Sequence, residues 1–461
     1  MYFWKMDEYT NQIAVIDKIL GIITYNKLFE MVQTIKKQLP ISDRKQLGLI
    51  LCQNQAYPIT AYLAALQKQD AVMLLDEKLD DILLKGIIDT YEPDWIFSVD
   101  RKLELTSNYR FSDHTFFQIW SRLNNEGTES IHADLAMLLS TSGTTGSAKF
   151  VRLSYKNLQA NAQSIVDYLP IDGDERAITT LPMHYSYGLS VINSHLLAGG
   201  TLILTNESML SKEFWSLFHK HRVTSFSGVP YTYQMLQRLR FEKMDLPSLR
   251  CFTQAGGRLA PSHVNYFTKC AQEKDVQFFV MYGQTEATAR ISYVPPQRIH
   301  EKDESIGVPI PGGKMWVDDS TSEILYEGPN VMMGYAEIRQ DLSKGDLLNS
   351  LLHTGDLGRV DEDGYFYITG RMKRFIKLFG LRLNLDDVEK RIEQQQGIVS
   401  ACIGNDERMQ VFIEKEDLVE KVKQDLLKVY KLHPSSIKVN VVLQLPRFNN
   451  GKINYNELKD L

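Results

Sequence analysis

The sequence predicts an α/β protein: a large N-terminal domain of helix-covered, mostly parallel sheets with a β-rich subdomain, residues 1–370, then a small α+β C-terminal domain, residues 371–461. Three observations carry this. Between residues 130 and 295, short apolar runs alternate with helix-like segments at the spacing of a parallel, helix-covered sheet. From about Val294 the runs shorten and are broken by Gly, Pro and Asp. From Arg371 the chain turns basic and helical again.

Each element has a local reason. Ala136–Leu139 and Phe150–Leu153 are apolar and strand-like, and Ser154 suits the N-cap of the helix that follows through Asn157, Leu158 and Gln159 and stops near Pro170. Residues 223–229 are rich in β-formers, and Pro230 fits the first position of the next helix. Cys251–Gln254 ends at Gly256 and Gly257, and a helix follows Pro261. Residues 277–281 form a further buried strand that ends in YGQTE. Asp363-Gly364 between apolar stretches reads as a hairpin turn. VEKRIEQQ and LVEKVKQDLLKVY supply the helices of the small domain.

Composition narrows the function. A chain of 461 residues suits two to four domains, at about 100–200 residues each. A net charge of −5 gives no basic stripe for nucleic acid. No apolar run reaches the ~18–20 residues of a membrane span, and the N-terminus lacks the apolar core of a secretory signal. The four cysteines (Cys52, Cys251, Cys270 and Cys402) are scattered, which fits a reduced, cytoplasmic compartment and buried thiols rather than zinc.

The stretch LLSTSGTTGSAKFVRLS, residues 138–154, sets a bare loop between two strands. Gly143 and Gly146 allow close backbone approach, Thr141, Ser142, Thr144, Thr145 and Ser147 supply hydroxyls, and Lys149 supplies a positive charge. Together they suit phosphate oxygens. The spacing G-x-x-G-x-x-K is not that of a P-loop, because Lys149 leads into a strand, and no G-x-G-x-x-G opens a helix. On spacing alone a flexible surface linker stays open as an alternative.

STSGTTGSAK with the LS-x-x-NL that follows resembles the phosphate loop of the adenylate-forming (AMP-binding) enzymes: acyl- and aryl-CoA ligases, adenylation domains of peptide synthetases, and luciferases. YGQTEAT (282–288), SIGVPIPGG (305–313), GPNVMMGY (328–335), HTGDLGRVDEDGYFYITGR (353–371), KLFGLRLNLDDVE (377–389) and NGKIN (450–454) match later motifs of that family in order. Residues 14–17 and 24–28 fit its opening, so the resemblance covers essentially the whole chain.

The resemblance implies an acid–thiol ligase. Such enzymes join a carboxylic acid to ATP, release pyrophosphate, and pass the acyl group from AMP to a thiol. It implies that Thr141, Ser142, Gly143, Thr144, Thr145, Gly146 and Lys149 hold the β- and γ-phosphates. Glu286 and Thr145 would bind Mg²⁺, and Thr285 would contact the α-phosphate. Tyr282 and Gly283 would lie at the adenine, with Gly256 and Gly257 giving it backbone access. Asp356 would accept from the ribose hydroxyls, with Arg371 nearby. Lys452 would reach in from a mobile small domain to the reacting oxygens. Lys373 takes the hinge position, and Gly380 and Arg382 the path of the thiol. Read alone, Glu286 and Asp356 are surface carboxylates, Lys452 a tail lysine and Tyr282 a core aromatic.

The sequence departs from the family pattern in places. Ala148 replaces the usual loop proline, and LPMHYSYGLS (181–190) inverts an aromatic–histidine pair as His184-Tyr185. No aspartate lies between Leu181 and Leu196, so an α-amino acid is not expected. The acid pocket is expected from His184, Tyr185, Ser190, Phe226, Val229 and Tyr231, small or aromatic residues that suit a short, branched, hydroxylated or aromatic acid better than a dicarboxylate. No carrier domain follows Leu461, so the thiol is expected in trans: CoA, or the phosphopantetheine of a separate acyl carrier protein. The competing readings are a binding-only relative and a luciferase-like oxygenase. A metal hydrolase is the least favoured: His219 and His221 at i, i+2 do not share a helix face, no H-E-x-x-H is present, and a basic solvated helix end is the preferred reading.

Overall fold

The strand Phe150–Ser154 ends on the residue that starts the next helix. Ser154 Oγ accepts from Asn157 N at 3.1 Å, and Asn157 Oδ1 accepts from Ser154 N at 2.8 Å, the reciprocal bonds of a capping box. Helix Tyr155–Tyr168 follows. Pro230 and Pro261 likewise sit at the first turn of helices Pro230–Arg238 and Pro261–Lys274, where the missing N–H costs nothing. The computed structural model describes residues 2–6, 9, 11–103, 108–123, 129–140, 149–372, 374–378, 381–405, 408–430, 432–448 and 451–460. The chain falls into two units: Met1–Lys314 with Tyr326–Leu352, and Met315–Leu325 with His353–Leu461.

Among the described residues, the first unit holds two large sheets. One runs, in spatial order, Val308–Pro309, Ser292–Val294, Gln277–Tyr282, Cys251–Gln254, Ser225–Gly228, Arg176–Ile178, Thr201–Ile203, Ile13–Asp17 and Gly21–Thr24. Its middle, from Gln277–Tyr282 to Ile13–Asp17, is parallel, and the strands beyond on either side are antiparallel. The other runs Gly334–Ala336, Phe150–Ser154, Leu135–Ser140, Ala71–Asp76, Leu47–Cys52, Trp95–Ser98, Phe117–Arg122 and Tyr109–His114, parallel from Leu135–Ser140 to Trp95–Ser98.

Helices Tyr25–Gln38, Ala56–Lys68, Tyr155–Tyr168 and Ser186–Ala198 share one core with both sheets. Val15, Ala177 and Leu202 of the first sheet and Ile50, Leu74, Phe97 and Met137 of the second belong to it. Ala56–Lys68 is buried on nearly every side, which is why its sequence lacks a polar stripe. Truncating a fully buried side chain such as Leu63 to alanine costs about 2–5 kcal/mol. The four cysteines are free and buried. The ends of parallel strands Leu135–Ser140 and Gln277–Tyr282 are where ligands gather in such sheets.

The second unit takes most of a four-stranded sheet, ordered Lys314–Val317, Glu323–Glu327, Leu351–Val360, Phe366–Arg371. The expected Asp363-Gly364 turn joins the last two. Asp361 Oδ1 accepts from Asp363 N at 3.1 Å and Tyr365 N at 2.9 Å, and Gly364 takes φ +82°. Beyond lie a hairpin of Phe375–Leu378 and Leu381–Asn384, helices Leu385–Gln396 and Val419–Tyr430, and a sheet of Ser400–Gly404, Met409–Ile413 and Ile437–Val441. Val388, Ile392, Val411 and Leu426 fill its core. No helix among the described residues is long and apolar enough to cross a membrane.

Candidate active site

The loop after strand Gln277–Tyr282 is built around close backbone contacts. A Cβ on Gly283 would meet Ala289 O at 1.8 Å, so only glycine fits. The single turn Thr285–Ala287 follows. Buried Asn330 clamps it from a distant segment: Nδ2 donates to Ala287 O at 2.9 Å and Arg290 O at 2.8 Å, while Oδ1 accepts from Tyr326 Oη at 2.7 Å. Thr288, at φ +63°, donates its hydroxyl to Asn330 O at 2.7 Å. Gln284 Nε2 donates to Tyr282 Oη at 3.0 Å, and Thr285 Oγ1 lies 3.2 Å from Ser186 Oγ at the start of helix Ser186–Ala198.

Glu286 and Lys149, far apart in sequence, meet on one tyrosine. Tyr335 donates its hydroxyl to Glu286 Oε1 at 2.9 Å, and Lys149 Nζ lies 3.8 Å from the centroid of its ring. Burial and the Glu286 charge both push the Tyr335 hydroxyl pKa up, so it remains a donor. Lys149 also lies 3.9 Å from Glu337 Oε1. The strand Gly334–Ala336 that carries Tyr335 pairs with Phe150–Ser154. Buried Arg152 fixes the pairing by donating to the carbonyls of Tyr335 at 3.1 Å, Met333 at 3.0 Å and Gly345 at 3.2 Å, and to that of Lys344.

Thr141, Ser142, Gly143, Thr144, Thr145 and Gly146 lie outside the described residues. The strands on either side of them are in register, Ser140 opposite Phe150.

Of the expected acid pocket, Ser190 and Phe226 line a small cavity of about 20 Å³, room for about one water. Tyr185, Val229 and Tyr231 belong to the apolar cluster that also contributes Ile165, Leu169 and Cys251 to the cavity wall. Gly256, at φ +83°, leaves no room for a side chain: a Cβ would meet Tyr185 Oη at 2.6 Å and Val229 at 3.1 Å. Gly257 packs on Pro230. His184 turns elsewhere, its Nε2 3.9 Å from Asp76 Oδ2, and burial pulls its pKa below the usual value. The cavity is not uncharged, as the small and aromatic residues suggest: Arg290 and Glu175 line it too, beside His195.

The second unit holds the other expected residues. Asp356 and Arg371 are register partners, and Arg371 Nε donates to the buried Asp356 Oδ1 at 2.8 Å. Lys452 lies in a tight turn, its carbonyl accepting from Phe448 N at 2.8 Å, with Gly451 at φ +79°. Lys373, Gly380 and the side chain of Arg382 lie outside the described residues. Arg374, next to Lys373, is anchored within this unit: Nη2 donates to Glu389 Oε1 and to Cys402 O, both at 2.8 Å.

Sequence reasoning missed Tyr335, Asn330, Arg152 and Arg290. Tyr335 and Asn330 stood inside the quoted GPNVMMGY, where a polar residue in an apolar run was the available signal. Arg290 and Arg152 carried none.

Two sheets share one core with the helices packed on them, and Glu286 and Lys149 meet on Tyr335 beside strand Phe150–Ser154. The chain belongs to the AMP-binding enzyme family, whose model matches residues 2–336. It is 30% identical over 358 residues to a long-chain-fatty-acid–CoA ligase of Escherichia coli, covering 72% of this chain and 62% of that ligase, so the match spans less than two thirds of that relative. It is 29% identical to the 2-succinylbenzoate–CoA ligase of Bacillus subtilis, over 70% of this chain and 68% of the relative. The fold is that of the O-succinylbenzoate coenzyme A synthetase of Bacillus subtilis solved in complex with AMP, with a TM-score of 0.79 and 24% identity over 100% of this chain and 98% of that one.

Proposed function

We propose that this chain activates a carboxylic acid with ATP, releasing pyrophosphate, and passes the acyl group to a thiol. The meeting of Lys149 and Glu286 on Tyr335 carries the reading, because it sets a cation and an anion beside the bare loop 141–148. The loop hydroxyls, glycine N–H groups and Lys149 hold the β- and γ-phosphates. Glu286 is a carboxylate with one oxygen on Tyr335, a donor suited to a hard cation that keeps phosphate and water as its other ligands. Glu286 and Thr145 would hold Mg²⁺, which when bound offsets phosphate charge.

The physical problem is an anion attacking an anion, so positioning and charge neutralisation matter more than proton transfer. The acid carboxylate attacks the α-phosphorus, the bond to the bridging oxygen breaks, and pyrophosphate leaves. Thr285 steadies the α-phosphate, Tyr282, Gly283, Gly256 and Gly257 seat the adenine, and Asp356 with Arg371 holds the ribose. Lys452, brought by the residues after 370, neutralises charge on the reacting oxygens. The thiol of CoA or of a carrier-protein phosphopantetheine then displaces AMP. Four buried, free thiols fit a cytoplasmic setting.

The test is acid-dependent pyrophosphate release with ATP and Mg²⁺, first without a thiol and then with CoA or a carrier protein. Release that needs an acid supports the reading, and ATP binding without release from any acid contradicts it.

A further inference from the structure

In the proposed function Lys452 has to meet the reacting oxygens, and a misplacement of about 1 Å can cost about 10²-fold in rate. A lysine stem is flexible, so the accuracy has to come from the turn that carries it. The backbone ties of that turn are local. Phe448 N donates to Lys452 O and Asn454 N to Pro446 O, both at 2.8 Å, and Arg447 pairs with Ile453. Leu445, Ile453 and Leu458 pack it on Ala401 and Phe412 of the three-stranded sheet. Apolar contacts hold the turn down but are non-directional, so they do not fix where it sits along that surface.

A directional tie comes from Tyr455, three residues after Lys452. Its hydroxyl donates to Glu389 Oε2 at 3.1 Å and accepts from Arg374 Nη1 at 3.1 Å. The Arg374 guanidinium also lies on its ring, 4.1 Å from the centroid. Both partners are themselves pinned. Arg374 Nη2 donates to Glu389 Oε1 and to Cys402 O, both at 2.8 Å, and Nη1 donates to Asp386. Cys402 N donates to the same Glu389 oxygen. Burial and the Glu389 charge push the Tyr455 hydroxyl pKa up, so it stays a donor. The network joins the segment just after Arg371, the helix Leu385–Gln396, the strand Ser400–Gly404 and the turn of Lys452. Charge-assisted bonds of this kind fix geometry as well as contributing stability.

We infer that Tyr455 is a positioning residue for adenylation: its bonds to Glu389 and Arg374 set the turn of Lys452 against the segment that follows Arg371. The inference rests on the adenylation reading and deepens it. Tyr455 acts through Lys452 and not on the reacting atoms.

The test is a double-mutant cycle on pyrophosphate release by the full chain, with ATP, Mg²⁺ and the acid that wild type uses best from a panel of short, branched, aromatic, hydroxylated and long-chain acids. Tyr455→Phe keeps the ring on Arg374 and removes the hydroxyl. It is expected to lower kcat by about 10-fold with the KM for ATP kept, and to cost nothing further in the Lys452→Ala background. A tyrosine that only stabilised the fold would cost the same factor in both backgrounds. Equal loss in both, or no loss in the wild-type background, overturns the inference. Should Tyr455→Phe not fold, Glu389→Gln, which weakens the acceptor of the same bond, is read in the same cycle. If no acid releases pyrophosphate, the adenylation reading fails by itself. The positioning is then read by amide hydrogen exchange: faster exchange of the Phe448 and Asn454 N–H groups in Tyr455→Phe than in wild type supports it, and unchanged exchange overturns it.

Discussion

Tyr335 does two jobs with one side chain. Its hydroxyl orients Glu286 and its ring carries Lys149. Tyr335→Phe keeps the ring and loses the hydroxyl. The Mg²⁺ concentration giving half-maximal pyrophosphate release should rise about 10-fold or more, while Tyr335→Ala should also weaken ATP binding. A Mg²⁺ titration of both variants checks this. His195 gives a second prediction at this scale. Burial holds its pKa below 6.5, so the unfolded chain takes up the proton first and stability falls as pH drops below that value. His195→Gln should make the fall in Tm below pH 6.5 shallower, as melting curves across that range would show. The motifs singled out Glu286 and Lys149, which the fold brings to one side chain. Tyr335 was not singled out, because its role exists only through a partner 49 residues away in the chain.

At the scale of elements, the segment 283–290 holds its shape through contacts made elsewhere. Asn330→Ala leaves the carbonyls of Ala287 and Arg290 without their buried donor, at about 1–3 kcal/mol for each group left unsatisfied. Chemical denaturation should show that loss, and adenylation should fall with it because Thr285 and Glu286 are no longer fixed. Gly283→Ala, which drives a Cβ into Ala289 O, should abolish activity even where the protein folds. Local signals gave the strand Cys251–Gln254, the Ser154 cap and the prolines at helix starts, because each depends on neighbours in sequence. Pairings were not legible. The strand of Tyr335 joins that of Arg152 across 183 residues, and its apolar run looks the same in any sheet.

For the whole molecule, the first unit holds the two sheets, the turn of Glu286, Lys149 and the small cavity. The second unit carries Asp356, Arg371 and Lys452, and Arg374, next to Lys373, is anchored within it by Glu389. The order of the motifs made this architecture legible; the charge inside the cavity was not, since Arg290 and Glu175 converge only on folding. The most direct measurement is acid-dependent pyrophosphate release by wild type and Lys452→Ala. The account predicts release that needs an acid and falls about 10²–10³-fold in the variant, with ATP binding kept. Release that does not depend on the acid, or that survives undiminished in Lys452→Ala, would contradict it.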